Sequence, residues 1–422
     1  MGYLGLCTDL YELTMAQSYL EHGKVGRAVF SLFVRKLPKN RNFLVSCGLE
    51  SLIRRLEEFR FGPKELEYLK SLGIFSKEFL DYLRDYEFRG TLYAIPEGRV
   101  VFQNEPLVQV EGSLPEVQIL ETLVINTVHF QTLVASKAIR SYLVSGGTTL
   151  IDFGLRRAHG LEAGLYAARA SYIAGFAGTS NLAAGKEFGI PVFGTVAHSY
   201  IMVFDSEEEA FRAFARSFPK KAVFLLDTYD TMEAAKKVVK LSSEGIPVVG
   251  VRLDSGDIGT LTRQVRRLLD DAGLKDTKIV VSGGVDEYRI REWLSAGCPI
   301  DAFGVGTKLV TSSDAPYLDI AYKLVEYEGK PKVKTSPGKE TFPYKRQVLR
   351  FYSDGFMEKD EVVPYGESGG GEPMVEEVMR EGKLVKEIPT LKEVRERLME
   401  EIEKLPPYLR SLDRKDYRVI IK

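Results

Sequence analysis

Between about residue 148 and residue 314, short apolar runs alternate with longer amphipathic stretches. The apolar runs are rich in β-branched and aromatic residues and end in glycine or polar residues, which is typical of buried parallel strands. The stretches between them carry apolar residues three and four positions apart and are predicted to be helices, with Asp230, Thr260 and Asp286 as N-caps. The candidate strands are TTLIDFG, SYIAGFAGTS, PVFGTVAHS, AVFLLDT, PVVGVRLDSG, KIVVSGG and DAFGVGT.

These candidate strands follow one another at intervals of about 25 residues. An interval of this length holds one strand and one helix, and such units join through right-handed crossovers into a parallel sheet. We therefore predict an α/β fold with an irregular (β/α) barrel of about seven parallel strands over residues 121–314. In a barrel the C-terminal ends of the strands meet at one rim, where active sites lie.

The two flanks lack this repeat and mix helical and strand-like segments. Helical periodicity is clear in DLYELTMAQSYLEHG, GLESLIRRLEEF and TLKEVRERLMEEIEKL, and strand-like runs include RAVFSLFVRKL and QVLRFYSDG. We expect residues 1–120 and 315–422 to form one α/β sandwich domain that is built from both chain ends.

The overall charge is close to neutral. The chain has 422 residues, 28% of them charged, and a formal net charge of −1, so no global field attracts nucleic acid or an anionic membrane. No apolar run has the length of a membrane span, and Cys7, Cys47 and Cys298 are too far apart for a disulfide framework or a Cys-x-x-Cys metal site. We expect a cytoplasmic protein with no nucleic-acid or membrane partner and no dedicated metal site.

One histidine lies in the third candidate strand, within the run VFGTVAHSYIMVF. An isolated histidine at such a place is ordinarily a hydrogen-bonded core residue. His198 is not isolated, because the other candidate strands also end in a residue suited to chemistry or to close approach. These residues are Arg156, Thr179, Asp227, Arg252, Ser282 and Gly306. If the strands are parallel, all of these positions share one rim, and the pattern predicts an active site there.

Two glycine-containing turns predict a phosphate site. The segment Ser282-Gly283-Gly284 leads from a strand into a helix, so backbone N–H groups and a helix N-terminus converge on an anion. Gly304, Gly306 and Thr307 follow on the next strand, and the last two strand–helix loops of barrels often bind phosphate. Glycine as an ordinary turn residue is the alternative for either motif alone.

Charged residues on two neighbouring strands extend this prediction. Arg252 supplies a planar fork for phosphate oxygens, and Asp254 and Asp257 can accept from sugar hydroxyls or hold Mg²⁺ through water. A carboxylate beside an imidazole fixes its tautomer, so Asp227 is a candidate partner of His198, with helix capping as the alternative. The combination predicts a substrate that carries a phosphorylated sugar.

Taken together and in order, eight motifs resemble the nicotinate phosphoribosyltransferase family. They are TDLYELTMAQSY, RKLPKNRNFLVSCGLE, DFGLRR, GFAGTSN, GTVAHS, LLDTYDT, VRLDSGD and FGVGT, and the match runs from about Thr8 to Arg350 and fades beyond about residue 360. The resemblance implies a type II phosphoribosyltransferase fold and a homodimer or higher oligomer with shared active sites. The implied reaction joins nicotinate to 5-phosphoribosyl-1-pyrophosphate, with Mg²⁺ and coupled ATP hydrolysis, in NAD salvage.

The resemblance also implies roles for individual residues around the base. His198 would accept the γ-phosphoryl group of ATP, oriented by Asp227. Phe153 and the partner subunit's Tyr11 would sandwich the pyridine ring, with Thr179 beside it.

Other implied roles concern the nicotinate carboxylate and the phosphoribosyl group of the second substrate. Either Arg156 or Arg157 would pair with the nicotinate carboxylate, and Asp254 would stabilise positive charge on the sugar in the transition state. The phosphoribosyl group would be held by Arg252, Asp254, Ser282, Gly283, Gly284, Gly304, Gly306 and Thr307, with Arg35 contributed by the other subunit.

Several alternatives stay open at this stage. Nicotinamide phosphoribosyltransferases resemble the chain in motif order but carry Asp where Ser180 stands here, and a buried Asp would repel a carboxylate. Quinolinate phosphoribosyltransferases share the fold but lack the histidine motif, and a non-catalytic ligand-sensing barrel has no use for that histidine. Two motifs have a structural alternative: TDLYELT could serve only as a packing helix, and RKLPKNRNF could be a solvated basic loop. Lys334, Lys339 and Lys345 are either phosphate ligands or surface charges.

Overall fold

The computed structural model describes residues 3–334 and 341–422, so Lys339 lies outside the described residues. The chain divides into two compact units, one of residues 1–136 and 317–422 and one of residues 137–316. The first unit is thus built from both chain ends. It also takes in residues 121–136, which the sequence analysis assigns to the barrel, because the long helix that begins at Glu121 packs Leu123, Val124 and Val128 into the core of that unit.

The N-terminal part of the first unit carries helices α1 to α6 and strands β1 to β5. In chain order they are α1 (Leu10–Glu21), β1 (Arg27–Val34), β2 (Leu44–Val45), α2 (Leu49–Glu58), α3 (Pro63–Ser71), α4 (Lys77–Arg84), β3 (Thr91–Ala94), β4 (Val100–Val101), β5 (Pro106–Ser113), α5 (Leu114–Gln118) and α6 (Glu121–Val144). The last residues of α6 belong to the second unit.

The second unit alternates strands and helices, as its sequence predicts. Its elements are β6 (Thr149–Asp152), α7 (Leu161–Ile173), β7 (Gly178–Thr179), α8 (Leu182–Phe188), α9 (His198–Met202), α10 (Glu207–Ser217), β8 (Val223–Leu225), α11 (Thr231–Ser243), β9 (Gly250–Leu253), α12 (Ile258–Asp271), β10 (Lys278–Val281), α13 (Glu287–Ser295), β11 (Ala302–Val305) and α14 (Thr307–Val310). A 3₁₀ turn at Leu155–Arg157 follows β6.

The C-terminal part completes the first unit. It contains β12 (Ile320–Tyr327), β13 (Lys330–Pro331), β14 (Arg346–Ser353), β15 (Phe356–Pro364), β16 (Glu372–Pro373), β17 (Glu376–Arg380), β18 (Lys383–Leu384), α15 (Leu391–Lys404) and β19 (Arg418–Ile421). Within the described residues one sheet has the order β13-β12-β1-β5-β3-β17-β18 and another the order β16-β14-β15-β19. Strand β1 is buried along nearly its whole length, which explains why its sequence is a continuous apolar run.

The second unit contains a parallel sheet, which confirms the predicted α/β class. Among the described residues six strands pair in the order β7-β6-β11-β10-β9-β8, and every neighbouring pair is parallel. The last strand in the chain, β11, pairs with the first, β6, and the described residues show no pairing between β7 and β8. The C-terminal ends of all these strands therefore lie along one edge of the sheet.

Two of the seven predicted strands differ from the prediction. The segment PVFGTVAHS is mostly exposed loop in which Val192 alone forms a bridge, to Thr179, and His198 begins helix α9 rather than ending a strand. Gly194 and Thr195 break the run. Backbone bonds to Thr179 hold Pro191 and Phe193, whereas the Arg252 side chain holds the loop further on. In SYIAGFAGTS, helix α7 continues to Ile173, and only Gly178–Thr179 is extended.

The predicted helix starts are correct at two of three positions. Asp230 and Asp286 each accept a backbone N–H three residues further on. For α12 the N-cap is Asp257, which accepts from the N–H of Thr260, so the prediction of Thr260 as the cap is wrong. No helix in residues 3–334 and 341–422 combines the length and apolar character needed to cross a membrane.

Candidate active site

Arg252 lies at the centre of the polar side chains that follow the strands of the second unit. It stands on β9, directly beside Val280 of β10, so its side chain emerges next to the turn that begins at Ser282. Its Nε donates to Ser282 Oγ at 2.7 Å and its Nη2 to Asp254 Oδ1 at 2.6 Å. Ser282 Oγ in turn donates to Asp254 Oδ1 at 2.5 Å, which closes a three-residue ring of hydrogen bonds.

The same guanidinium also holds the loop that precedes His198. Its Nη1 donates to Thr195 Oγ1 at 2.9 Å and to the carbonyl oxygen of Val196 at 3.2 Å. The guanidinium group is planar and all three of its nitrogens are bonded, so its orientation is fixed. The N–H of Arg252 that is not used in these bonds therefore points in one direction.

Asp254 is ionised in this arrangement. Burial by itself would raise its pKa, but hydrogen bonds from Ser282 and Arg252, the charge of Arg252 and the nearby His198 lower the pKa below its ordinary value. The site therefore contains a stable carboxylate beside a guanidinium.

His198 has a partner that the sequence analysis does not predict. Its Nδ1 lies 3.2 Å from Thr228 Oγ1, and the described residues show no hydrogen bond between His198 and Asp227. Asp227 Oδ2 instead accepts from the backbone N–H of Asp254 at 3.1 Å and from Ser255 Oγ. Thr228 rather than Asp227 contacts the imidazole because Asp227 is drawn towards the loop that follows β9.

Asp227 retains one unused oxygen. Its Oδ1 is buried and has no hydrogen-bond partner among the described residues. A buried carboxylate oxygen without a donor is costly, so an atom of this kind ordinarily faces a ligand, an ion or an ordered water.

Three of the predicted glycines are places where a side chain has no room. A Cβ on Gly283, whose φ is +80°, would lie 1.9 Å from the Asp254 carbonyl oxygen. A Cβ on Gly304 would lie 2.4 Å from the Phe153 ring, and one on Gly306 would lie 2.9 Å from the Phe153 carbonyl oxygen. Gly284 has a φ of +67° and a Cβ there would face open space, so glycine is favoured at this position only by the backbone conformation. These glycines bring the backbone turns and the Phe153 ring close together.

The Phe153 ring faces the cationic centre of the site. The Arg252 Cζ lies 5.9 Å from the ring centroid, within the range of a cation–π contact. Arg156 and Arg157, on the turn that follows, are both exposed, and neither guanidinium has an ion-pair or hydrogen-bond partner in the part of the chain that is described. Both guanidiniums are therefore available to an anion.

Thr179 is completely buried, and its hydroxyl is already bonded on both sides. It donates to Asp152 Oδ2 at 2.7 Å and accepts from the N–H of Asn181 at 3.0 Å. Its position at the end of β7 agrees with the sequence analysis, but its hydroxyl faces the protein. Ser180, the next residue, is exposed. Thr307 is exposed at the start of α14.

Tyr11 and Arg35 belong to the first unit. Tyr11 is 46% exposed on α1, while the next residue, Glu12, is buried and accepts from Thr8 Oγ1 at 2.6 Å and from the Thr122 N–H at 3.1 Å. Arg35 forms an ion pair with Asp319, with 3.1 Å between Nη1 and Oδ1.

The RKLPKNRNF segment is not the solvated loop of the alternative interpretation. Arg41 and Asn42 are buried, and the Asn42 amide donates to three carbonyl oxygens between Leu409 and Asp413. Lys345 bonds to Glu111 at 3.0 Å within the first unit.

Comparisons with known proteins match most of the length of the chain. Three family models match: the N-terminal domain of nicotinate phosphoribosyltransferase over residues 6–129, the nicotinate phosphoribosyltransferase family over residues 148–349 and the corresponding C-terminal domain over residues 345–421. Nicotinate phosphoribosyltransferase pncB2 of Mycobacterium tuberculosis is 46% identical over 416 residues, which cover 98% of this chain and 90% of the relative. The chain belongs to the nicotinate phosphoribosyltransferase family.

Further relatives support the same assignment. The nicotinate phosphoribosyltransferase of Bacillus subtilis is 42% identical over 377 residues, which cover 86% of this chain and 77% of the relative. The crystal structure of human nicotinic acid phosphoribosyltransferase matches with a TM-score of 0.88 at 28% identity and covers 98% of this chain and 97% of the human chain. The family similarity continues to residue 421, so the expectation that it fades beyond about residue 360 is wrong.

Four residues that the structure brings into the candidate site are missed by the sequence analysis. Asp152, Thr195, Thr228 and Ser255 all lie within or directly beside the quoted motifs, as the first residue of DFGLRR and as neighbours of Val196, Asp227 and Asp254. For Asp152, Thr228 and Ser255 the signal is proximity to a strand end, whereas Thr195 lies in the loop after α8. The three hydroxyl residues lie outside the strands, where no periodicity reveals the direction of a side chain.

Proposed function

We propose that this chain transfers the phosphoribosyl group of 5-phosphoribosyl-1-pyrophosphate to nicotinate, forming nicotinate mononucleotide and pyrophosphate in NAD salvage. The observation that carries the proposal is the Arg252–Ser282–Asp254 ring of hydrogen bonds at the ends of neighbouring parallel strands, beside the Phe153 ring, in a member of this family. A guanidinium and a glycine turn are suited to phosphate oxygens, and an aromatic face is suited to a flat heterocycle.

The phosphoribosyl end of the site would be formed by the turns after β10 and β11. Gly283 and Gly284 both have positive φ, which turns the chain sharply after Ser282, and Gly304 and Gly306 keep side chains away from this space. Arg252 would bind phosphate oxygens, and Thr307 would add a hydroxyl at the start of α14. Asp254 Oδ1 is engaged with Arg252 and Ser282, which leaves Oδ2 to act on the sugar.

The nicotinate end would be formed around Phe153. Arg156 and Arg157 are unpaired and exposed in the described part of the chain, so either can pair with the carboxylate of the substrate. Ser180 offers no charge that would repel this carboxylate, which favours the acid over nicotinamide. Tyr11 and Arg35 are proposed to act from a second copy of the chain in a homodimer or a higher oligomer.

The transfer step needs positioning more than proton transfer. The lone pair of the pyridine nitrogen attacks C1 of the ribose while the bond from C1 to the pyrophosphate oxygen breaks, so no proton has to move. Positive charge that develops on the sugar would be stabilised by the Asp254 carboxylate, which its ion pair keeps ionised.

His198 is proposed to couple this reaction to ATP. Its imidazole would attack the γ-phosphorus, the bond to the β–γ bridging oxygen would break, and ADP would leave; water would later release the group as phosphate. The contact between Nδ1 and Thr228 leaves Nε2 as the free nitrogen, and Nε2 is nucleophilic when Thr228 accepts from an Nδ1–H.

Mg²⁺ is proposed to arrive on the phosphate groups of the substrates. The described residues contain no group of three histidine, cysteine or acidic side chains that could hold a metal ion by themselves. Asp227 Oδ1, which is buried and unbonded, fits a cation or its coordinated water. When bound, Mg²⁺ would neutralise charge on the departing pyrophosphate.

An irregular barrel is part of the proposal. The sheet order β7-β6-β11-β10-β9-β8 follows the reverse of the chain order as a cycle, because the last strand, β11, lies beside β6. Among the described residues the cycle lacks one pairing, between β7 and β8. The loop that contains Val192 to Ala197 follows α8. Val192 forms a parallel bridge to Thr179 of β7 and Arg252 holds the loop further on, which supports a place for it in that gap. The proposed location of the protein is the cytoplasm.

A product assay tests the proposed function. The purified chain is given 5-phosphoribosyl-1-pyrophosphate and Mg²⁺ with nicotinate, nicotinamide or quinolinate in separate reactions, each with and without ATP, and the nucleotide product is identified. Of the three substrates we expect only nicotinate to give a product, nicotinate mononucleotide. We expect more of this product when ATP is present. Product from nicotinamide or quinolinate instead, or no product from any of the three, would overturn the proposal.

A further inference from the structure

A buried carboxylate without a cation lies beside the proposed nicotinate end of the site. Asp152, the last residue of β6, is 1% exposed, and no cation pairs with it among the described residues. Burial raises its pKa, and its two hydrogen bonds act in the opposite direction. Burying a lone carboxyl group is unfavourable, so its retention at this position calls for a specific role.

The first bond of Asp152 shapes the turn that carries Phe153. Its Oδ1 accepts from the backbone N–H of Gly154 at 2.8 Å, a side-chain turn that encloses Phe153. The N–H of Phe153 donates to the Val305 carbonyl oxygen at 2.8 Å, so the backbone on both sides of the ring is held. The ring then packs over Gly304, where no larger residue would fit.

The second bond of Asp152 reaches the neighbouring strand. Its Oδ2 accepts from the Thr179 hydroxyl, which also accepts from the N–H of Asn181. The Asn181 side chain accepts from the N–H groups of Ala183 and Ala184 at the start of α8. The N–H of Ser180 donates to the Asp152 carbonyl oxygen at 2.8 Å. Asp152 therefore holds the turn that presents Ser180 through both its carboxylate and its backbone carbonyl.

We propose that Asp152 is a positioning residue for nicotinate: it holds the Phe153 ring and the Thr179–Asn181 turn in register across the ends of β6 and β7. It is not a catalytic residue, because both of its oxygens face donors of the protein. This inference rests on the proposed function and names a determinant of base binding within it. The role needs an acceptor at both oxygens. In Asp152→Asn the amide nitrogen would face either the Gly154 N–H, which cannot accept, or the Thr179 hydroxyl, whose own proton would then lose its buried acceptor.

The inference is tested with Asp152→Asn, Thr179→Val and Thr179→Ser. For each variant kcat and both KM values, for nicotinate and for 5-phosphoribosyl-1-pyrophosphate, are measured along with Tm. We expect Asp152→Asn and Thr179→Val to raise KM for nicotinate about 10-fold or more, in line with other residues that orient a binding group, and to leave the other KM within about 2-fold. Thr179→Ser keeps the hydroxyl and should restore most of the affinity for nicotinate that Thr179→Val loses.

A double variant tests whether the two residues act together on KM for nicotinate, which general destabilisation would not produce. Because the Asp152–Thr179 bond is lost in both single variants, Asp152→Asn combined with Thr179→Val should raise KM for nicotinate by less than the product of the two single increases. Asp230→Asn, which exchanges the same residue types at the N-cap of α11, is the matched control and should change neither KM.

Equal increases in both KM values with a lower Tm, or an unchanged KM for nicotinate, would overturn the inference. If Asp152→Asn does not fold, Thr179→Val carries the same test, because it removes one hydroxyl and leaves the Gly154 bond in place. A wild-type chain that forms no product from nicotinate would contradict the proposed function instead, so the two failures are distinguishable.

Discussion

The Nδ1 atom of His198 lies 3.2 Å from the hydroxyl oxygen of Thr228, whereas Asp227 bonds to the backbone of Asp254. Thr228 and Asp227, which are adjacent in the sequence, therefore have different roles. Thr228 orients the imidazole, and Asp227 ties the loop after β8 to the loop after β9.

Replacing His198 should separate ATP hydrolysis from phosphoribosyl transfer. His198→Ala removes the proposed phosphoryl acceptor but none of the bonds of Arg252, so we expect ATP stimulation to disappear while slow transfer without ATP remains. Thr228→Val should reduce the ATP stimulation and Thr228→Ser should preserve it. The check is product formation with and without ATP, together with acid-labile labelling by γ-labelled ATP. Full stimulation in His198→Ala would disprove the role.

The planar shape of Arg252 should matter as well as its charge. Lysine keeps the charge but cannot bond to Ser282, Asp254 and the Thr195 loop at once. We expect Arg252→Lys to lower kcat/KM for 5-phosphoribosyl-1-pyrophosphate by about 100-fold, which corresponds to about 2.7 kcal/mol. Arg263→Lys on α12, which removes a guanidinium that donates to Gly259 and Ala296, is the control and should retain activity. Equal kinetics in the two variants would contradict the prediction.

The adjacent glycines of the Ser282 turn form a matched pair. Both have positive φ, but a Cβ added at Gly283 would meet a backbone oxygen at 1.9 Å, whereas one added at Gly284 would meet open space. We expect Gly284→Ala to cost about 1–2 kcal/mol of unfolding free energy from the left-handed conformation alone. Gly283→Ala should cost about 3 kcal/mol or more and should abolish activity, because the Asp254 backbone has to move. Denaturant unfolding of both variants gives the comparison, and similar losses would show that the close approach is relieved at little cost.

The stability of the first unit should depend on pH through Glu12. Burial raises the pKa of Glu12 to about 7, although hydrogen bonds from Thr122 and Thr8 act in the opposite direction. Its ordinary value is 4.5, so as pH rises from 4.5 to 7 the unfolded chain releases this proton first. The stability associated with the protonated form is complete below about pH 4.5 and is lost as pH rises through 7.

Glu12→Gln removes this proton while keeping the size of the side chain. We expect the free energy of unfolding of Glu12→Gln, relative to the wild type, to rise between pH 4.5 and pH 7.5 by about 1.4 kcal/mol for each unit of pKa shift. Glu57→Gln, an exposed exchange on α2, serves as the control. Denaturant unfolding across this pH range measures the difference, and a constant offset between wild type and Glu12→Gln would refute the prediction.

Much of the fold and the composition of the site could be predicted from the sequence. Periodicity correctly predicts the parallel strands that end near Asp152, Asp227, Arg252, Ser282 and Gly306, because strand and helix periods are local properties of the chain. The clearest failure is the segment that leads to His198. Its apolar residues are strand-like, but they lie in a loop whose position depends on bonds to Arg252, a residue more than 50 positions away.

The sequence by itself determined the α/β class, the strand ends and, through its motifs, the family. Only the tertiary structure decided which polar atoms are partners: Thr228 with His198, Asp152 with Thr179, and Ser282 with both Arg252 and Asp254. The physical reason is the difference in range between the two kinds of information. A strand end restricts a side chain to one edge of the sheet, whereas a hydrogen bond depends on shifts of a few tenths of an ångström that distant loops impose.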